Sequence, residues 1–329
     1  MTSFSPGADH KPPKETKKIK DLPGTLPAVT PKEKPDGTGL KDCTVSVFGL
    51  GLLGASLASR LTLDGSVRGV AGWSRRPETV RIAAERGIIS TPCSTAEECA
   101  SLGDILIFAV PIRAMEETSR SVLGCPGVKK AVFDLSSTKK QIGTLLSAQW
   151  GEVYCGFHPM AGKERAGIEN ADPDLFRGSL CALVPFPGTA PEVISLGEEL
   201  AAALGGTSLL LGPEEHDAIT ACVSHFPLLL AASLALLAEK ERGQHPLLPL
   251  LAAGGFRDTT RVAGGPPELG ADMLQTNGEE IRRLAKEFSG ILEGILAASP
   301  AEVEELLKRA HHARECILAA RNGEKNQEA

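Results

Sequence analysis

His158 lies where an apolar stretch runs into a glycine-rich segment, Gly156-Phe157-His158-Pro159-Met160-Ala161-Gly162-Lys163-Glu164-Arg165-Ala166-Gly167. An imidazole at such a junction, off any apolar helical face, is placed for acid/base work. Its ordinary pKa of about 6.5 lets it take up or release a proton near neutrality. A second segment, Asp134-Leu135-Ser136-Ser137-Thr138-Lys139, ends an apolar stretch in the same way and gathers a carboxylate, hydroxyls and an ammonium. A third feature is chemistry of the backbone itself. Gly49-Leu50-Gly51-Leu52-Leu53-Gly54 follows the β-branched run Val45 to Phe48 and precedes helical spacing of Leu53, Leu57 and Leu61. Glycines so spaced between strand and helix bare N–H groups to a phosphate.

These residues need a scaffold that brings strand ends together. Short apolar strands at about 43–48, 67–73, 104–110, 130–135 and 153–157 alternate with helical stretches. That is the pattern of an α/β protein with a parallel sheet covered on both faces, in which ligands bind beyond the carboxyl ends of the strands. The expected architecture is a Rossmann-type doubly wound sheet over residues 42–190, followed by an all-helical domain over 191–329. Its helices are expected at about 190–204, 213–242, 272–297 and 300–321. Ser94-Thr95-Ala96-Glu97 reads as a capping box opening one helix of the first domain. Residues 1–41, with seven prolines and many lysines, bury too little apolar surface to fold and are expected to be a disordered leader.

The glycine turn predicts a dinucleotide. Gly49 permits the tight turn, Gly51 lets the pyrophosphate approach the backbone, and Gly54 lets helix and strand pack closely. Leu52 and Leu53 at the helix start and Val110 at the end of the 104–110 strand complete the expected contacts. Discrimination falls to the end of the second strand, where the chain reads Ser74-Arg75-Arg76. An acidic residue there would repel a 2′-phosphate, whereas a hydroxyl and two guanidinium groups would accept it, so NADP is favoured with NAD possible.

Composition limits the rest. With 329 residues and a net charge of −6, the chain is large enough for two cores and lacks the basic excess of a general nucleic-acid binder. The apolar run Phe226 to Leu237 stops at Ala238-Glu239-Lys240, short of the roughly 18 to 20 residues that span a bilayer. No membrane partner is expected. Eight cysteines, scattered and never as Cys-x-x-Cys, read as buried free thiols in a reducing compartment, with no metal site. The leader fits neither a transit peptide nor a secretion signal, so the expected location is cytoplasmic.

Four motifs in order, Asp134-x-x-Ser137-x-Lys139, His158-Pro159-Met160-Ala161-Gly162-x-Glu164, Ser224-His225-Phe226-Pro227 and Phe256-Arg257-Asp258-x-Thr260-Arg261-Val262-Ala263, resemble the prephenate/arogenate dehydrogenases of tyrosine biosynthesis. The resemblance runs from about Thr44 to Asn277. It implies a dinucleotide-binding domain followed by a helical domain that forms a homodimer, and a small-molecule substrate, prephenate or arogenate. It also implies that His158 bonds the ring hydroxyl, that Ser137 helps hold that hydroxyl and the histidine, and that Arg261 binds a substrate carboxylate. His225 and Lys139 are implied to line the pocket. The reaction implied is oxidative decarboxylation: hydride passes to the nicotinamide, the hydroxyl proton to His158, and carbon dioxide leaves as the ring becomes aromatic.

The chain departs from that pattern at Leu228, where a second histidine is common, at Lys163 and Ala166, where a hydroxyl residue is common, and at Gly270, where a tryptophan is common. These positions bear on side-chain specificity and on inhibition by tyrosine, and leave the reaction class alone. With helix running towards Ala329, no appended regulatory domain is expected. Residues alone leave open another NADP-dependent oxidoreductase of this layout, of hydroxyacid or imine reductase type, and a non-catalytic NADP sensor. Uniformly apolar stretches at Phe226–Leu237 and Leu247–Leu251 must be buried in a core or against a partner, which again predicts a homodimer.

Overall fold

The computed structural model of the chain describes residues 39–323. The expected leader lies outside these residues except for its last three. There Leu40 is buried and its N–H donates to Glu199 at 2.7 Å, so the fold begins before Lys41. The first unit alternates β1 (Thr44–Phe48), α1 (Leu52–Asp64), β2 (Gly69–Trp73), α2 (Pro77–Glu85), β3 (Thr91–Pro92), α3 (Ala96–Leu102), β4 (Ile105–Phe108), α4 (Ile112–Ser121), β5 (Ala131–Asp134), α5 (Lys140–Trp150) and β6 (Tyr154–Pro159). It continues with β7 (Leu180–Pro185), α6 (Pro191–Ala203) and β8 (Thr207–Leu210).

The strands form one sheet in the order β3-β2-β1-β4-β5-β6-β7-β8, parallel except for the antiparallel pair β6/β7. Strands covered on both faces must be apolar throughout, and β4 and β5 are wholly buried, as is all of β1 after Thr44. The order reverses between β1 and β4, which opens a crevice at their carboxyl ends. The sheet runs past residue 190. The helix expected to start the second domain is α6, packed on the sheet face through Val193, Leu196 and Leu200, and β8 pairs with β7, so the change of character falls after Leu210. The capping box is also shifted by one residue: Thr95 accepts from the Glu98 N–H at 3.1 Å, and the Glu98 carboxylate accepts from the Ser94 N–H at 2.7 Å.

The second unit consists of α7 (Pro213–Thr220), a π-helical turn (Ala221–His225), α8 (Phe226–Arg242), α9 (Leu248–Leu251), α10 (Gly254–Thr260), α11 (Pro267–Thr276), α12 (Gly278–Ala297) and α13 (Pro300–Gly323). The π turn has a covalent cause. Pro227 has no N–H to donate, so the ladder slips and the Phe226 N–H reaches back to the Ala221 carbonyl. Because the slip does not break the rod, residues 213–242 form one helix. An 18-residue window in it has a mean hydropathy of 1.9, long and apolar enough to cross a membrane by length and composition. That corrects the expectation of no such run. In this fold the helix is a scaffold element whose first turns dock on the sheet unit through buried His216, Asp217 and Thr220.

Candidate active site

The β1–α1 turn bears out the steric reasons for its glycines. Gly49 has φ +98°, and a Cβ there would lie 2.7 Å from the Ala109 carbonyl oxygen. A Cβ on Gly54 would collide with the Gly49 carbonyl, while one on Gly51 would meet nothing within 4 Å. The first two glycines named are thus required by the protein's own backbone, and Gly51 fronts open space. The N-terminus of α1 has no side-chain cap, so the amides of Leu52 and Leu53 are available to an anion. Val110, half-buried, follows β4 across the crevice. Beyond β2, Arg75 and Arg76 are exposed and form no ion pair among the described residues. Ser74 sits between them and the strand, its Oγ 3.5 Å from the Arg76 N–H. These residues fit a dinucleotide.

At the carboxyl ends of β5 and β6, Asp134 lies opposite Gly156 in the register, which sets the segment around Ser137 beside His158. The His158 ring is held from behind. Its Nδ1 is 2.9 Å from His216 Nε2, and His216 Nδ1 is 2.7 Å from Asp217 Oδ1. Asp217 also accepts the Lys139 N–H at 2.7 Å and the Lys140 N–H at 2.9 Å, capping α5 from the other unit. His158 Nε2 has no protein partner among the described residues. Burial, then the neighbouring His216, Lys139 and His225, push the His158 pKa well below the ordinary histidine value, so the ring is neutral at pH 7.

Lys139 corrects an expectation. It was expected to line the pocket, yet its side chain is fully buried, and its Nζ is taken up by Asp134 Oδ1 at 2.6 Å, the Asp134 carbonyl at 3.1 Å and Ser136 Oγ at 3.2 Å. With its three donors occupied, the ammonium has none for a substrate. Its stem crosses Gly156, where a Cβ would lie 2.8 Å from Lys139 Cδ. Tyr154 donates to the other Asp134 oxygen at 2.7 Å, completing a buried network beneath the site.

Two buried polar atoms next to this network have no partner among the described residues: Ser137 Oγ and His225 Nε2. Buried polar atoms are nearly always satisfied, so orphans at a strand edge mark places for a ligand. Asn277 Nδ2 lies 3.2 Å from His225 Nδ1 and donates to the Asp217 carbonyl at 2.7 Å. An amide NH2 can only donate, so His225 Nδ1 accepts and Nε2 carries the hydrogen. Burial and the nearby His216 push the His225 pKa down to about 4, against the opposing pull of Asp217 and the Ser137 backbone. The Nε2–H, which faces the Ser137 backbone without closing a hydrogen bond, is therefore a neutral donor. Its position comes from the π turn, of which His225 is the last residue.

Arg261, on a 3-10 turn (Arg261–Gly264), is exposed and ion-paired with Glu164 in the loop after β6. Asp258, three residues before it, is paired with Arg257 at 3.0 Å. Elsewhere the two units are joined by Arg113, which donates to Asp272 and to the Glu268 carbonyl, each at 2.9 Å, and by the Thr138 and Thr276 hydroxyls 2.9 Å apart. His216, Asp217 and Asn277 were missed as site residues. One signal existed: His216-Asp217 stands just ahead of a stretch, 218–238, that carries no Asp, Glu, Lys or Arg.

Residues 57–210 match the family model described as prephenate dehydrogenase, nucleotide-binding domain, and residues 212–309 match prephenate dehydrogenase, dimerization domain. A prephenate dehydrogenase of Lactococcus lactis is 32% identical over 263 residues, which are 76% of this chain and 70% of that one. The structure of Aquifex aeolicus prephenate dehydrogenase in complex with hydroxyphenyl propionate and NAD+ superposes with a TM-score of 0.78 at 26% identity, covering 83% of this chain and 98% of that one. Synechocystis arogenate dehydrogenase gives 0.66 at 28% identity, covering 87% and 100%.

Proposed function

The chain belongs to the prephenate dehydrogenase family, and on that footing we propose that it oxidises and decarboxylates prephenate or arogenate with NADP, in tyrosine biosynthesis. The observation that carries the reading is the pairing of a neutral, unengaged His158 Nε2 with two orphaned buried atoms, Ser137 Oγ and His225 Nε2, at one sheet edge. When bound on the Gly49–Gly54 turn, the nicotinamide dinucleotide supplies the hydride acceptor.

The chain's own residues do the rest. His158 Nε2 takes the proton of the ring hydroxyl as that carbon is oxidised. The electron pair of the breaking carbon–carboxylate bond then makes the ring aromatic, and the resulting phenolate takes the proton back from His158. Aromatisation supplies the driving force, so the protein's task is to orient the groups and to exclude water. Ser137 Oγ and His225 Nε2–H are placed to hold polar groups of the substrate. Arg261 offers a planar fork to a carboxylate, in exchange for its present partner Glu164. Ser74, Arg75 and Arg76 receive the 2′-phosphate, which favours NADP over NAD. The unit is a homodimer built on the helical half and works in the cytoplasm.

The test is direct. The purified chain is mixed with prephenate or arogenate and with NADP or NAD, and nicotinamide reduction and carbon dioxide release are followed. Turnover of one of the two substrates, more efficient with NADP, is expected; no turnover of either would overturn the reading.

A further inference from the structure

We propose that His216 and Asp217 form a proton relay with His158: as His158 Nε2 accepts the hydroxyl proton, its Nδ1 proton passes to His216 Nε2, and the positive charge comes to rest on the ring paired with Asp217. The proposal rests on the reading of His158 as the base.

The hydrogen-bond line fixes the tautomers. Asp217 Oδ1 already accepts the Lys139 N–H, and as a carboxylate it can only accept, so His216 Nδ1 carries a hydrogen. The neutral His216 ring then has a bare Nε2, which must accept from His158 Nδ1–H at 2.9 Å. That leaves the lone pair of His158 on Nε2, the atom with no protein partner. A carboxylate two residues removed from contact with the substrate thus decides which nitrogen of His158 is the base.

The charges around the line decide where a proton rests. A cation on His158 faces the Lys139 ammonium and the rings of His216 and His225. On His216 it faces the Asp217 carboxylate at 2.7 Å, with Asp134 adding a further attraction and Lys139 opposing. His216 and Asp217 are 1% and 2% exposed, so water does not offer the proton another place. The transfer balances: the substrate O–H and the His158 Nδ1–H break while His158 Nε2–H and His216 Nε2–H form, and all four steps reverse when the phenolate retakes its proton. His216 and Asp217 are therefore positioning residues, acting through His158.

The decisive variant is His216→Asn, since Asp217 also caps α5 and its replacement confounds the two roles. An asparagine carbonyl can still accept from His158 Nδ1 but cannot hold its proton. The expected result is a loss of roughly 10- to 100-fold in kcat, with the substrate KM and the cofactor Kd within about twofold and Tm little changed. The acid limb of kcat should also move about one unit lower, because a site shared by two coupled rings becomes a site on one. His216→Gln serves if the asparagine variant does not fold. Unchanged kcat with an unmoved limb, or a loss that follows Tm alone, would overturn the relay. A second arm needs no turnover: ¹⁵N–¹H spectra of histidine-labelled protein, assigned with His158→Asn and His216→Asn, should show both His158 and His216 protonated on Nδ1. A His158 protonated on Nε2 rejects the relay even if the enzyme turns over. If neither substrate is oxidised, the reading of the function fails while these spectra still decide the relay.

Discussion

The large apolar side chains of β1, β4, β5 and β6 are fully covered within the sheet unit, whereas along the helical unit Leu236, Leu250, Leu251 and Leu296 are 65%, 81%, 81% and 77% exposed. The buried cluster of the helical half comprises only Ala221, Phe226 and Ile281, with a few partly covered neighbours. Both halves are apolar in sequence, but one closes on itself and the other leaves its surface for something else to cover. The halves also divide the site. The sheet unit holds His158 on the β6–β7 ladder and Ser137 in the turn between β5 and α5, and the helical unit brings His216, Asp217, His225 and Arg261 to meet them. Chemistry should therefore be lost through His158 and the His216–Asp217 pair that backs it, and recognition and assembly through Arg261 and the exposed helical face.

The largest effect is expected at His158. His158→Asn should lower kcat by about 10²- to 10⁴-fold, the usual share of a positioned acid/base group, while substrate binding is largely kept. The base must be neutral, and its pKa is held well below the ordinary histidine value. In the unmodified enzyme kcat/KM should therefore stay level as pH falls to about 6.5 and decline only below that. The decline should be missing from the variant; a variant with near-normal kcat would move the base elsewhere.

On the helical side, Arg261→Ala should raise the substrate KM by roughly 10- to 100-fold through loss of a charged pair, with kcat and cofactor binding nearly unchanged. Steady-state kinetics with normal KM would return Arg261 to a surface role with Glu164. Arg75→Ala with Arg76→Ala should weaken NADP by about 1 to 3 kcal/mol and NAD hardly at all, measured by fluorescence titration. Equal losses for both cofactors would separate these arginines from the 2′-phosphate. The smallest effect on the fold of one chain should come from Leu250→Asp with Leu251→Asp. At positions this exposed the intrinsic cost is within about 0.5 kcal/mol per site, yet light scattering should show the dimer dissociating. A dimer that persists would place the covering surface elsewhere on the helices.

The parts legible in the sequence are those where sterics leave one choice. Gly49 and Gly54 could be read because no side chain fits there, and His158 because a strand ends beside it. β7 and β8 escaped because Leu180-Cys181-Ala182-Leu183-Val184-Pro185 is a short apolar run without alternation, which period alone cannot tell from buried helix. Lys139 was misplaced because its countercharge, Asp134, is set by the turn between them and by the room over Gly156, neither visible in spacing. His216 and Asp217 fall in the first turns of a helix, where spacing alone does not separate a solvated residue from a buried one. Only the docking of that helix on α5 makes them buried partners.

The π turn at Ala221–His225 has a geometric consequence for the whole helical half. An α-helix advances about 100° per residue, so one extra residue in a single turn rotates everything after it by that amount. The rod from Pro213 to Arg242 accordingly presents one azimuth before the turn, where His216, Asp217 and Thr220 meet the sheet unit, and a different one after it, where Phe226 and Ala231 are buried. The turn acts as a phase shifter. Removing one residue from it would keep the helix intact and keep every downstream side chain, yet would turn the face of α8 away from α12 by more than a quarter of a revolution.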